Sequence, residues 1–153
     1  MKRVSYWLMS LALLFTVTAC FDDDEAAVFN EFLVEFDATS RVLPTGNPAV
    51  VGVINGAGAV TSQVNLVGPQ LASAETITFR VDPDLTTATE GVNFDLQGGS
   101  LTLAAGESIF NLELNILGDG ALTAPVDVGI ELVGSGTVDV NPNFSTIIFR
   151  ITP

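Results

Sequence analysis

The chain has 153 residues, a formal charge of −13, one cysteine and no histidine, a size that suits one domain with its own core. Beyond residue 20 its only cations are Arg41, Arg80 and Arg150, set against all 18 acids; such a surface repels phosphate backbones and anionic headgroups, which excludes nucleic-acid binding. The same stretch has no histidine, cysteine, lysine, tyrosine or tryptophan, which removes Ser-His-Asp, Cys-His and lysine nucleophiles together with zinc sites built on His or Cys.

The beginning of the chain reads as a processing signal. Lys2 and Arg3 precede an apolar run from Val4 to Val17, and Ala19 places a small residue before Cys20, the order of an export signal. The run is shorter than the roughly 20 residues that a membrane span needs. A lone cysteine also has no intramolecular disulfide partner. Val17-Thr18-Ala19-Cys20 resembles the lipobox of bacterial lipoproteins, which implies cleavage before Cys20 and acylation of that residue. At about 0.8 kcal/mol per buried CH₂, several acyl chains hold a protein to a bilayer durably. The expected division is a signal peptide over 1–19, a lipidated cysteine and acidic tether over 20–27, and a folded domain over 28–153. Asp22, Asp23, Asp24 and Glu25 form a block of like charge that stays extended and hydrated as a spacer. The same block resembles the surface-export signal of lipoproteins from the Bacteroidetes group. The expected location is the outer membrane, with the cell surface and the periplasmic face both open.

Beyond the tether the chain is strand after strand. Phe32, Val34 and Phe36 alternate with Leu33 and Glu35, and the prolines of the 41–48 loop place this first strand at an edge. Ala49–Ile54 and Ala59–Val67 flank Asn55-Gly56, a dipeptide suited to a hairpin turn. Glu75–Val81 sets Ile77, Phe79 and Val81 on one face. Thr87–Leu117 reads as a turn, a short strand, a second turn and a long strand. In its last part Phe110, Leu112, Leu114 and Ile116 alternate with Asn111, Glu113 and Asn115, while Gly98-Gly99 and Gly106 supply the reversals. Val126, Val128, Ile130 and Leu132 alternate with Asp127, Gly129 and Glu131. Gly134-Ser135-Gly136 then turns into Thr137–Val140, and Phe144–Thr152 points Ile147, Phe149 and Ile151 inward. With no sustained 3.6-residue apolar stripe past Cys20, the pattern predicts an all-β antiparallel sandwich.

Within this pattern, Ala88-Thr89-Glu90-Gly91-Val92-Asn93-Phe94, Gly99-Ser100-Leu101-Thr102-Leu103 and Ala105-Gly106-Glu107, followed by the alternating strand, resemble the Calx-beta domain over Thr86 to Leu132. The resemblance implies a single immunoglobulin-like β-sandwich. It also raises calcium, and here the chain departs from the family. The family's turn aspartate is Asn93, and the connection Gly118–Pro125 keeps one acid, Asp119, where calcium-binding members carry several. Calcium takes six to eight oxygen ligands, several of them carboxylate. The best remaining oxygen cluster is Asp82, Asp84, Glu90 and Asp95, a candidate calcium site weighed against a solvated acidic loop whose Asp residues serve turns.

Catalysis is left only with paired carboxylates, and nothing in the sequence marks such a pair. Glu113, Asp127 and Glu131 alternate with core residues, as the wet face of a sheet does. Sugar stacking loses Trp and Tyr. The expectation is therefore a non-enzyme with no catalytic residue and no cofactor beyond the lipid on Cys20, serving as a structural or accessory interaction domain of an outer-membrane lipoprotein. The alternative is a weak calcium- or glycan-binding module of a surface uptake system. The expected partners are the membrane, through the lipid, and another envelope protein, through a sheet edge that no lysine guards, which leaves Pro44, Pro48 and Pro125 as the candidate edge guards.

Overall fold

The computed structural model describes residues 30–41 and 48–153. The lipobox residues Val17, Thr18, Ala19 and Cys20 and the acidic block Asp22, Asp23, Asp24 and Glu25 lie outside the described residues, as do positions 42–47. The described elements are β1 (Leu33–Phe36), α1 (Asp37–Ser40), β2 (Ala49–Ile54), β3 (Gly58–Val67), β4 (Glu75–Asp82), β5 (Phe94–Asp95), β6 (Ser100–Leu103), β7 (Ile109–Ile116), β8 (Val126–Gly134), β9 (Asp139–Val140) and β10 (Thr146–Thr152). They form two five-stranded sheets, ordered β5-β7-β3-β1-β9 and β2-β10-β8-β4-β6. This is the β-sandwich that the alternation predicts.

Period-two alternation decides which side chains fill the space between the sheets. On β7, Phe110, Leu112, Leu114 and Ile116 are buried while Asn111 and Glu113 are exposed, because successive Cβ atoms point to opposite faces of a strand. In the same sheet Val34 and Phe36 on β1 join this face, and the opposite sheet presents Ile77 and Phe79 on β4, Val128, Ile130 and Leu132 on β8, and Ile147, Phe149 and Ile151 on β10. Each of these side chains contributes about 1.5–3 kcal/mol by leaving water. On the outer face of the second sheet, Arg150 lies directly across from Asp127 and Arg80 across from Glu131, and both pairs form ion pairs, at 2.8 and 2.7 Å.

Three expectations about connectivity are corrected. The first strand is not an edge: β1 pairs antiparallel with β3 and parallel with β9. Beyond the ladder, the amide of Phe36 donates to the carbonyl of Phe144 and that of Asn141 to the carbonyl of Val34. Asn55-Gly56 does not close a hairpin, because β2 and β3 join different sheets; the turn carries the chain across the sandwich. Nor is the pairing wholly antiparallel. β2 runs parallel to β10, Ala49 to Ile54 against Ile147 to Thr152. The switch happens at α1, where the side-chain hydroxyl of Thr39 donates to the carbonyl of Thr146 at 2.6 Å and accepts from the amide of Ala49 at 3.2 Å. The stretch Thr87–Leu117 likewise straddles the body, with β5 and β7 in one sheet and β6 in the other.

Two glycines are fixed by close approach. Gly68 has φ +124°, and a Cβ there would stand 2.0 Å from the carbonyl oxygen of Glu31. Gly129, in the middle of β8, lies against the 82–87 loop, so a Cβ would meet that of Leu85 at 2.6 Å.

Candidate functional site

The end of the sandwich where β2 and β7 finish and β5 begins is tied together by polar side chains. Asn55, Asn93 and Asp119 belong to three separate loops. The amide of Asp119 donates to Oδ1 of Asn55 at 2.9 Å, while Nδ2 of Asn55 donates to the carbonyl of Asp119 at 2.9 Å. Oδ2 of Asp119 accepts from Nδ2 of Asn93 at 3.1 Å, and its Oδ1 accepts from the amide of Ala121 at 2.9 Å. Asn93 completes the bridge by accepting from the amide of Thr89 at 2.8 Å, and its carbonyl accepts from the amide of Leu117. Asn93 is 5% exposed, and a polar group buried so deeply is costly to leave without partners. Here it has them on every side.

This bridge stands where the Calx-beta resemblance places calcium chemistry, and its residues do not fit the ion. The site offers one carboxylate, both of whose oxygens already accept hydrogen bonds, and two amides whose NH₂ groups are used as donors. Calcium needs six to eight oxygens with several carboxylates among them. Sequence reasoning singled out Asn93 and Asp119 as departures from the family and missed that they bond to each other. Asn-Gly is a strong local signal that places Asn55 in a turn; its partnership with a residue 64 positions away has no local signature.

The four acids of the candidate calcium set are not gathered into one site. Among the described residues no group of three or more acids could hold a metal ion. Asp82 ends β4, where its Oδ1 accepts from the amide of Asp84 at 2.9 Å, a side-chain-capped turn of the kind Asp makes for local reasons. Glu90 and Asp95 are exposed, Asp95 in register with Asn115 across β5 and β7. The loop is held instead by Thr86, whose hydroxyl donates to the carbonyl of Asp82 at 2.6 Å and accepts from the amide of Gly129 at 2.9 Å.

Two adjoining surface grooves share Pro142 and Ser145. The larger, about 380 Å³, runs past Arg80, Glu131, Val133 and Val140; the smaller, about 170 Å³, past Thr39, Leu85 and Asn143. The first contains one carboxylate, engaged by an arginine, and the second none. Neither presents the two facing acids that carboxylate catalysis requires. Charge on the body is otherwise organised by arginine. The guanidinium of Arg150 holds the Asp127 carboxyl below the usual carboxylate range through its hydrogen bonds, and Arg41, with help from Asn65, does the same to Asp37.

No protein-family profile and no curated protein matches the sequence. Among solved structures, the apo form of the Calx CBD1 domain matches with a TM-score of 0.60 at 15% identity, over 81% of this chain and 100% of that one. The Calx CBD2 domain matches with a TM-score of 0.60 at 14% identity, over 80% and 87%. The calcium binding domain CBD12 of CALX1.1 gives 0.57 at 15%, over 68% of this chain and 41% of that longer one. At such identities the likeness is one of architecture, and the chain shares the Calx-beta type of two-sheet sandwich.

Proposed function

We propose that this protein is a lipid-anchored, non-catalytic interaction domain of the bacterial outer membrane. The observation that carries the reading is the run Val17-Thr18-Ala19-Cys20 behind Lys2, Arg3 and an apolar segment, with Cys20 the one cysteine of the chain. An acidic tether and a body with polar-locked loops would then stand off the bilayer. The absence of His, Lys, Tyr and Cys beyond Cys20 supports a binding rather than a catalytic task, since few acid–base or nucleophilic groups remain. A solved neighbour is called a calcium binding domain; the bridge of Asn55, Asn93 and Asp119, with its single carboxylate already hydrogen-bonded, favours a metal-independent scaffold instead.

The test is metabolic labelling of expressing cells with an alkyne fatty acid. The wild-type chain takes the label and fractionates with outer membranes, and Cys20→Ala takes none. An unlabelled wild-type chain, or a mature N-terminus other than residue 20, overturns the anchor. Protease shaving of whole cells then assigns the membrane face.

A further inference from the structure

We infer that β2 is a self-complementary docking edge, through which two copies of this chain join their second sheets antiparallel into one continuous sheet. The inference rests on the reading of the protein as a membrane-anchored interaction domain and names the surface and the partner.

Among the sheet-edge strands, β5 and β9 have two residues each and β6 has four, whereas β2 has six, Ala49-Val50-Val51-Gly52-Val53-Ile54. Native edges are usually blunted by shortness, charge, proline or a bulge. Within its span β2 has none of these. Its free backbone groups follow from the pairing with β10. The amide of Asn55 donates to the carbonyl of Thr152 at 2.8 Å, so Val51 and Val53 also face β10, and alternation turns the N–H and C=O groups of Val50, Gly52 and Ile54 outward. Among the described residues these outward groups meet one partner, the amide of Ala57 on the carbonyl of Ile54. Val50 and Ile54 are exposed to 49% and 69%, large values for aliphatic side chains in a sheet.

The spacing makes the edge complementary to itself. With a two-fold axis at Gly52, Gly52 faces its own copy, Val50 of one chain faces Ile54 of the other, and Val51 faces Val53. Every cross-strand pair from Val50 to Ile54 is then apolar, and each outward N–H meets an outward C=O. Gly52 at the axis adds no side chain, and the space where its Cβ would stand is open, with nothing within 4 Å. The edge is also free of the charge that keeps the rest of the molecule apart. β2 carries none, and the one charge on β10, Arg150, is matched by Asp127. A single edge is small beside the roughly 800 Å² per partner of stable interfaces, so pairing depends on the high effective concentration that anchoring in one membrane supplies.

The test uses the full chain in its own membranes with Gly52→Cys. Residues facing each other in a hydrogen-bonded antiparallel pair have Cα atoms about 5.5 Å apart, within disulfide reach. Mild oxidation is expected to give a reducible band at twice the monomer mass, absent from the wild-type chain and from Gly136→Cys, another open glycine far from the edge in sequence. Adding Val50→Lys and Ile54→Lys to Gly52→Cys opposes like charges across the axis, and the band is expected to fall several-fold. The fatty-acyl label on Cys20 is read on the same gel. A labelled chain that stays monomeric, or that cross-links only to proteins of other mass, overturns self-pairing and leaves the anchored-domain reading standing. An unlabelled chain overturns the anchor and the pairing with it.

Discussion

Asp119 shows how one side chain sets the character of the loop end. It bonds through both carboxylate oxygens, its amide and its carbonyl, and so joins the β2–β3, β4–β5 and β7–β8 connections. Asp119→Ala is expected to lower stability by about 1–3 kcal/mol, because the buried Asn93 NH₂ loses its acceptor; thermal or urea unfolding reads this directly. Asn93→Asp should cost at least as much, since it replaces a donor with a second acid about 3 Å from Asp119. Calcium at millimolar concentration is expected to leave the melting temperature of the wild type unchanged, whereas binding to the native state would raise it. Asn93 and Asp119 were visible in the sequence as departures from a calcium pattern, and Asn55 as a turn residue. Their bonding was not, because hydrogen bonds between residues far apart in the chain leave no spacing rule.

At the scale of the element, β8 and β10 carry both the core and the charge pairing. Hydrogen bonding to Arg150 lowers the Asp127 pKa in the folded state, so the stabilisation it gives is complete above the ordinary carboxylate range and is lost as pH falls through the folded value. Asp127→Asn is therefore expected to reduce the loss of melting temperature on acidification to about pH 3, measured against wild type so that other carboxylates cancel. β8 also tests packing. Gly129→Val drives a side chain into Leu85 and the 82–87 loop and is expected to cost about 1–3 kcal/mol or more. Gly52→Ala on open β2 is expected to be neutral or to stabilise by about 0.5 kcal/mol, through the lower entropy of the unfolded chain. Equal effects at the two glycines would contradict the assignment of one strand to the packed middle and the other to the edge.

The 153-residue chain holds a formal charge of −13, and the ion pairs among the described residues are at the surface. Exposed pairs contribute little, so unpaired acids dominate, and self-repulsion opposes the compact state. Raising ionic strength from about 0.02 to 0.5 M, which shortens the screening length several-fold, is expected to raise the melting temperature. A protein held together by surface ion pairs would respond in the opposite sense. The same screening should strengthen pairing of two copies along β2, because the edge is neutral while the bodies behind it repel.

The all-β class, the positions of the long strands, the faces they bury and the list of impossible chemistries were all legible in the sequence. Each depends on a short-range property: side chains alternate along a strand whatever it pairs with, and a missing His or Lys is missing in any fold. Only the tertiary structure decided which sheet each strand enters. Neighbours in the chain, β2 and β3, part at Asn55-Gly56, while β2 lies parallel to β10 with Ile54 against Thr152. Edges, the loop bridge and the close approaches at Gly68 and Gly129 all follow from that choice. It is made by packing two apolar faces against each other over long chain separations, a global balance that no local run of residues encodes.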